Sequence, residues 1–247
     1  MREFVVVKFG SELVATNDGV DQVRIDEYAT GLNERYGDDS LIVVTSGAVK
    51  TGRRRWENMG NSLAELPLVT AAQLGSSAII AAWELGFSRA GRIAGGLLVT
   101  HHELKDNKEG PMFSMALESA AVSGVVSVVN ENDALSDKEL MKLATGGDND
   151  GLASHIARVV EAREFVLFTE KGGVLDDSGS LIDKIDESSI DDVRAMVATR
   201  KAGKGGRGGM PTKLEAAWDA AQAGVTTKMA ATNSDMSGRL VTEFIAN

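Results

Sequence analysis

The sequence of 247 residues contains no cysteine and only three histidines. The absence of cysteine excludes disulfides, thiolate zinc sites and a thiol nucleophile, and it fits a cytoplasmic protein. His101, His102 and His155 form no catalytic triad, which argues against a serine hydrolase. The i, i+4 spacing of helical zinc motifs is also missing. A polar loop therefore explains His101-His102 better than a metal site, and we expect no protein metal ligands.

Long apolar runs and an excess of positive charge are also lacking. No window approaches the roughly 18 apolar residues that a membrane span needs. The apolar stretch at residues 4–7 is too short for a signal peptide. The net charge of −10 argues against nucleic-acid and anionic-membrane partners and favours a small-molecule substrate. Any phosphate site must then be a local pocket of lysine and backbone amides.

Short β-branched runs alternate with longer Ala-rich amphipathic segments. The predicted strands are Glu3–Phe9, Ser40–Thr45, Ile93–Thr100, Val125–Asn130, Phe165–Thr169, Val225–Ala231 and Arg239–Ile245. The predicted helices are Asp21–Tyr36, Leu68–Leu85, Met112–Val122, Asn149–Ala162, Ser189–Thr199 and Pro211–Ala223. Most strands are apolar on nearly every residue, as in strands that are covered on both faces. This order predicts an α/β fold, a three-layer αβα sandwich with a mostly parallel central sheet.

Two polar clusters follow the strand that ends at Asn130. The first is Asn130-Glu131-Asn132-Asp133, and the second is Gly146-Gly147-Asp148-Asn149-Asp150. In open α/β sheets, ligands bind at the carboxyl ends of the strands. A loop that only turns the chain does not need carboxylates and carboxamides at this density. The two clusters therefore predict a site for a polar, charged small molecule.

A glycine-rich segment, Gly208-Gly209-Met210-Pro211-Thr212-Lys213, precedes a predicted helix. Glycine lets the backbone approach an anion, and a helix start presents free N–H groups and a positive dipole end. Thr212 adds a hydroxyl and Lys213 a mobile cation. The spacing differs from that of a Walker A motif. An exposed, mobile loop is the alternative explanation of the glycines.

Two further predicted strands lead into segments that could hold an anion at the carboxyl edge of the sheet. Lys8-Phe9-Gly10-Ser11 places an ammonium group where the first strand ends. Taken alone, Lys8 is more typical of a solvated strand end. The segment at residues 43–49 runs from a strand through Ser46-Gly47 into a helix, where amides can hold a carboxylate or phosphate. Its spacing does not match the Gly-x-Ser-x-Gly of a nucleophile elbow.

In this order, the pieces resemble the amino-acid-kinase superfamily, and within it the glutamate 5-kinase branch. The matching segments span nearly the whole chain: 6–11, 44–49, 128–133, 147–150, 167–170 and 208–213. The pair Asn-Glu-Asn-Asp and Gly-Asp-Asn-Asp is the specific part of the resemblance. It implies a single amino-acid-kinase domain over residues 1–247, with an acceptor-binding lobe at 1–164 and a nucleotide-binding lobe at 165–247.

The resemblance also implies a role for each matching residue. The catalytic group is Lys8, Lys213 and Asp150, with Asp150 orienting the two lysines. The acceptor-binding group is Ser46, Gly47, Asp133 and Asn149. The ATP-binding group is Gly10, Ser11, Thr169, Glu170, Arg207, Gly208, Gly209, Met210 and Thr212.

The chemistry of phosphoryl transfer agrees with these roles. The reaction needs two anions in line and cancellation of developing negative charge. Two lysines, glycine amides and Mg²⁺ supply that charge, and the phosphates of ATP would provide most of the Mg²⁺ ligands. A carboxylate acceptor is already ionised at neutral pH, so no strong general base is needed.

The expected activity is ATP-dependent phosphorylation of the side-chain carboxylate of L-glutamate, in proline biosynthesis. Two alternatives stay open: a kinase of the same fold acting on a modified glutamate, phosphate or phosphonate, and a non-catalytic ligand-binding regulator. Three departures from the family pattern leave the exact acceptor open: Glu170 and Arg207 differ within the nucleotide-binding segments, and the Asn-Ala-Arg segment is missing. The chain also stops after the kinase domain, whereas many bacterial relatives continue into a PUA domain. The family's habit implies a homo-oligomer, a dimer or tetramer.

Overall fold

The computed structural model describes residues 3–100, 103–104, 108–135, 149–199, 209–232 and 241–246. The strands are β1 (Phe4–Phe9), β2 (Ala15–Thr16), β3 (Gly19–Val20), β4 (Ser40–Thr45), β5 (Ala94–Val99), β6 (Val126–Glu131), β7 (Glu164–Thr169), β8 (Lys184–Asp186), β9 (Thr226–Ala231) and β10 (Val241–Ile245). The α-helices are α1 (Ser11–Val14), α2 (Gln22–Tyr36), α3 (Ala48–Asn58), α4 (Leu68–Arg89), α5 (Glu109–Val122), α6 (Asn149–Val159), α7 (Ile190–Thr199) and α8 (Met210–Gln222).

Among the described residues, eight strands form one sheet in the order β5-β6-β4-β1-β7-β9-β10-β8. Every neighbouring pair is parallel except β9 and β10, which run antiparallel. The predicted mostly parallel sheet is therefore confirmed. The short strand β8 and the small antiparallel pair β2–β3 were not predicted, because two or three residues carry too little periodicity to reveal a strand.

Two hydrophobic cores cover the two faces of this sheet. Successive side chains of a strand point to opposite faces, so Val5 and Val7 enter one core and Val6 enters the other. Helices α2 and α4 cover the first face, with Trp83 fully buried among aromatic rings. Helices α6 and α8 cover the second. This arrangement confirms the three-layer αβα sandwich.

Helix starts coincide with the residues that sequence rules favour. Helix α2 begins after Asp21, whose carboxylate accepts a hydrogen bond from the Arg24 backbone N–H at 3.2 Å. Helix α4 begins after Pro67, which cannot lie in a helix interior. The predicted helix at Asn149–Ala162 ends earlier, at Val159. Asp21 and Pro67 thus fix where α2 and α4 start.

Helix α4 corrects one expectation from the sequence. By length and composition it is apolar enough to cross a membrane, although no segment was expected to come near that limit. One side of this helix, however, packs on the sheet: Ile79, Trp83 and Phe87 are fully buried, and 39% of its apolar window is buried. This burial is typical of the core helix of a globular domain.

Candidate active site

Four neighbouring strands of the sheet end at the same edge, and the candidate site lies above their ends. In the order β6-β4-β1-β7, these strands run parallel, so their carboxyl ends lie side by side. Helices α6 and α8 begin above this edge, since Asp150 in the first turn of α6 bonds to side chains from both β1 and α8. The residues predicted to form the site therefore come from both halves of the chain.

The structure joins Lys8, Lys213 and Asp150 in one buried cluster. The Lys8 ammonium pairs with Asp150 Oδ1, and the Lys213 ammonium lies 2.9 Å from Asp150 Oδ2. The side chains of Lys8, Asp150 and Lys213 are only 4%, 3% and 16% exposed. One carboxylate thus holds two cations that lie at opposite ends of the sequence.

The pKa values of this cluster follow from burial and from its unequal charges. Burial lowers the pKa of the Lys8 ammonium to about 8, with the Lys213 cation adding to the effect and Asp150 opposing it. Burial alone would raise the pKa of Asp150, but the two ammonium groups outweigh it and lower that pKa to about 2. The group therefore carries excess positive charge near neutral pH, which suits an anionic ligand.

The first turn of α8 lies beside this cluster. Gly209 occupies the N-cap position without a side-chain cap, and Pro211 lies in the first turn, so backbone N–H groups are open to an anion. The Thr212 hydroxyl is 3.0 Å from Asp150 Oδ2 and 2.9 Å from the Gly209 carbonyl. The Met210 side chain packs against the hydrophobic core. Arg207 and Gly208, both predicted to bind ATP, lie outside the described residues.

The ends of β1 and β4 are connected through the backbone. A Cβ built on Gly10 would lie 3.8 Å from Lys8 Nζ, and Ser11 begins the short helix α1. The Ser46 N–H donates to the Phe9 carbonyl at 3.1 Å. Gly47 has φ +104°, where a Cβ would be strained and would also crowd neighbouring side chains. The chain can therefore turn sharply from β4 into the N-terminus of α3.

Helix α3 is held in place by a backbone crossing with α4. A Cβ on Gly75 would lie 1.8 Å from the Ala48 carbonyl oxygen, and one on Gly52 would lie 1.8 Å from that of Ala71. Only glycine fits where two backbones approach this closely. Ala48 is the first residue of α3, so the crossing fixes the helix end that follows Ser46 and Gly47.

The acceptor-binding residues predicted after β6 lie at the same edge. Asp133 and Asn149 are both buried. Asn149 Oδ1 accepts a hydrogen bond from the Glu131 N–H at 3.3 Å, which ties α6 to the end of β6. Gly146, Gly147 and Asp148, also part of the second polar cluster, lie outside the described residues.

Asn130 belongs to the first polar cluster, but no individual role in binding or catalysis was predicted for it from the sequence. It is fully buried, and within the described part of the chain neither its amide nitrogen nor its amide oxygen has a hydrogen-bond partner. It shares a sheet face with Val128. The hydroxyl of Thr45, on the next strand, already pairs with Trp83 and with the Ser46 carbonyl. Because an unpaired buried amide costs free energy, Asn130 fits a polar ligand at this edge.

The predicted nucleotide-binding stretch follows β7. Thr169 is buried, and its Oγ1 accepts a hydrogen bond from the Gly172 N–H at 3.0 Å, which shapes the turn after the strand. Glu170 is exposed. Neither residue touches the lysine cluster through a described hydrogen bond or ion pair, so their role in ATP binding stays a prediction.

The chain is similar in sequence to known proteins. The pattern of the amino acid kinase family matches residues 3–230. The glutamate 5-kinase of Stutzerimonas stutzeri (strain A1501) is 36% identical over 230 residues, and the match covers 90% of this chain and 60% of that protein. A similar match to the Pseudomonas syringae pv. tomato enzyme is 37% identical over 236 residues. The chain thus spans about 60% of the length of these relatives.

The fold has solved counterparts. Carbamate kinase from Giardia lamblia bound to AMP-PNP superposes with a TM-score of 0.69 at 11% identity, over 100% of this chain and 99% of that one. N-acetylglutamate synthase from Neisseria gonorrhoeae superposes with a TM-score of 0.65 at 13% identity, over 99% of this chain and 60% of that one. At such identities the likeness concerns the fold alone. The family match over residues 3–230 shows that the chain belongs to the amino acid kinase family.

Proposed function

We propose that the chain transfers the γ-phosphoryl group of ATP to the side-chain carboxylate of L-glutamate and forms an acyl phosphate. One observation carries the proposal: Lys8 and Lys213 are brought from distant parts of the sequence onto the single buried carboxylate of Asp150. The relatives that match 90% of the chain are glutamate 5-kinases, which supports the choice of acceptor and a role in proline biosynthesis.

Lys8 and Lys213 have the catalytic role in this proposal. The migrating phosphoryl group passes between two oxygens while negative charge spreads over its own three oxygens. Two ammonium groups in a water-poor pocket stabilise that charge without reorganising during the reaction. Asp150 holds both lysines and stays ionised, because its pKa is lowered to about 2. The carboxylate thus fixes the cations and does not act as a general base.

The nucleotide would bind over the carboxyl end of β7 and the first turn of α8. The N–H groups in the first turn of α8 fit a phosphate, and Thr169 and Glu170 would contribute from the end of β7. Gly10 and Ser11 would face the phosphates from β1. Mg²⁺ would be held mainly by the phosphates themselves and would neutralise part of their charge. Among the described residues, no group of three acidic or histidine side chains is arranged to hold a metal ion.

The acceptor would bind between the N-terminus of α3 and the end of β6. Glutamate carries an ammonium group and two carboxylates, and the edge offers a partner for each type of charge. Asp133 suits the ammonium group, and the amides that follow Ser46 and Gly47 suit a carboxylate. Asn149 and Asn130 add carboxamides that can donate and accept. The reacting carboxylate needs no proton removed at neutral pH.

A kinase of the same fold with another acceptor is the second candidate. It is favoured by the missing Asn-Ala-Arg segment. Carbamate, a modified glutamate, phosphate or a phosphonate are the acids to compare. In either case we propose an acceptor lobe at 1–164 and a nucleotide lobe at 165–247, a homo-oligomer, a cytoplasmic location, and neither nucleic-acid nor membrane partners.

Acceptor-dependent ADP release from Mg-ATP tests the proposal. L-glutamate is compared with N-acetyl-L-glutamate, L-aspartate, carbamate and phosphate, and hydroxylamine is added to trap an acyl phosphate as its hydroxamate. We expect turnover and hydroxamate with L-glutamate. Turnover with another acid alone would support the second candidate. ATP-analogue binding without turnover on any acid would support a regulator and reject the kinase.

A further inference from the structure

Thr212 makes two contacts that do not suit a residue reserved for ATP. Its Oγ1 lies 3.0 Å from Asp150 Oδ2 and 2.9 Å from the Gly209 carbonyl oxygen. A carboxylate and a carbonyl only accept hydrogen bonds, and a hydroxyl has one proton to donate. The proton is therefore shared between the buried carboxylate and the first turn of α8.

The carboxylate of Asp150 has a geometric task that the lysines cannot perform alone. Lys8 binds Oδ1, while Lys213 reaches Oδ2 at 2.9 Å and Oδ1 at 3.3 Å. Both lysines end flexible four-carbon stems, and rotation of a carboxylate about its Cβ–Cγ bond is soft. A carboxylate that can rotate does not by itself define the distance between the two ammonium groups that it holds.

Thr212 supplies the rigid contact. In a helix, a threonine side chain divides between two χ1 rotamers, because its hydroxyl can bond a carbonyl three or four residues earlier. The hydrogen bond back to Gly209, three residues earlier, keeps the hydroxyl beside Asp150 Oδ2. Because the donor is neutral, it holds the carboxylate without adding repulsion between cations.

We propose that Thr212 is a positioning residue: its hydroxyl orients the Asp150 carboxylate and thereby sets the spacing of the two lysine ammonium groups. The inference rests on the proposed kinase activity and changes the predicted role of Thr212, which the sequence assigned to ATP binding. It implies that Thr212 acts on the chemical step, while the open amides of α8 bind the phosphates.

Thr212→Val tests this role because valine keeps the β-branched shape and removes the donor. We expect kcat to fall ~10-fold, the size of a hydrogen bond to a charged group, with the KM for ATP changed less than ~2-fold. Thr212→Ser, which keeps the hydroxyl, should recover most of the lost rate. Thr199→Val is the matched control, since Thr199 also bonds a carbonyl three residues earlier, that of Met196 at 2.7 Å, but its hydroxyl contacts no carboxylate among the described hydrogen bonds.

A second measurement follows the ammonium groups themselves. In protein labelled with ¹³C-lysine, NMR titration reports the pKa of Lys8 without any turnover. When its carboxylate is less well held, Lys8 should lose its proton at a lower pH in Thr212→Val than in the unchanged chain and in Thr199→Val. A purely structural threonine would not move this titration. Thr212→Ala serves the same purpose if the valine variant does not fold.

The two measurements separate failure of this inference from failure of the proposed function. Absence of turnover with every acid rejects the kinase, while the lysine titration still tests the link from Thr212 to Asp150. If Thr212→Val raises the KM for ATP and the dissociation constant of an ATP analogue but leaves kcat and the Lys8 titration unchanged, the hydroxyl binds phosphate and the inference is wrong. An unchanged kcat together with an unchanged titration also rejects it.

Discussion

Two ion clusters lie at opposite edges of the central sheet, and they differ in charge balance. At the carboxyl edge, Lys8 and Lys213 share one carboxylate, that of Asp150. At the amino edge, Glu164 begins β7 and pairs with one lysine and two arginines at 3.4 to 3.7 Å. These partners are Arg35, Arg163 and Lys228, and two further acids, Glu3 and Asp39, pair with Arg163.

The amino-edge cluster thus balances its charges, while the carboxyl-edge cluster does not. The side chains of Arg35, Arg163 and Lys228 are 25% to 38% exposed, so water screens them. At the carboxyl edge, Lys8 and Lys213 are more deeply buried, and together they carry one more charge than the Asp150 carboxylate balances. A balanced, hydrated cluster joins elements of the fold. A buried cluster with excess positive charge is costly and becomes favourable when an anion such as a nucleotide phosphate arrives.

Removal of a lysine from each cluster gives the largest expected contrast. Lys8→Ala and Lys213→Ala should each lower kcat ~10²- to 10³-fold, because a preorganised charge is lost from the transition state. Lys228→Ala, the control at the amino edge, should change kcat less than ~2-fold. Acceptor-dependent ADP release at saturating ATP measures all three. If Lys228→Ala lowered kcat as much as Lys8→Ala and Lys213→Ala do, the two clusters would not differ in function.

The neutral residues of the carboxyl edge should act on the acceptor. Asn149→Ala removes a buried carboxamide beside Asp150, and Asn130→Ala removes one that has no described partner. Each should raise the KM for L-glutamate ~10-fold or more, as expected for a hydrogen bond to a charged group, and leave the KM for ATP nearly unchanged. Steady-state kinetics with each substrate varied in turn gives the answer. A rise confined to ATP would mean that the two lobes are misassigned.

The two edges should also differ in pH dependence. The pKa of Lys8 is lowered to about 8, so the free protein loses this proton as pH rises through 8. The value of kcat/KM for Mg-ATP should then fall ~10-fold per pH unit above it. Asp150 titrates near 2 and gives no acid limb above pH 4. A profile from pH 5 to 10 measures this, and a flat alkaline side would contradict the assignment of Lys8.

The smallest effect on activity is expected at the amino edge. Glu164→Gln removes the buried carboxylate that three partly exposed cations share, and it should lower the free energy of unfolding by ~1–2 kcal/mol. The value of kcat should stay within ~2-fold, because no reacting group lies at this edge. Urea unfolding monitored by circular dichroism, together with ADP release, checks both expectations. A loss of activity without a loss of stability would give this cluster a functional role.

Much of the fold could be predicted from local patterns. Strand β4 was predicted with the bounds that the structure has, and β1, β6 and β7 were predicted to within one residue at each end. These strands are buried on both faces and are therefore apolar throughout. Strand β8 was missed because its three residues, Lys184–Asp186, show no strand pattern of their own. They form a strand by pairing with β10, which follows much later in the sequence.

The candidate site was predictable in part. Lys8, Asp150 and Lys213 were named from motifs, and the structure brings them together. Asn130 was predicted as part of the first polar cluster but was given no individual role, because only the packed structure reveals a buried amide without a described partner. The orientation of the Thr212 hydroxyl toward Asp150 was missed for the same reason, since a glycine-rich motif before a helix predicts phosphate binding whichever way the hydroxyl points.

The sequence by itself determined the layers of the protein and the edge at which its polar residues gather, because apolar periodicity and strand ends are local properties of the chain. Only the tertiary structure decided that β1 lies between β4 and β7, and that α6 and α8 start above it. Through that arrangement a lysine from the first strand and a lysine from a helix near the other end of the chain meet on one carboxylate. The physical reason is that contacts between distant residues depend on how the sheet is ordered, and no local pattern encodes that order.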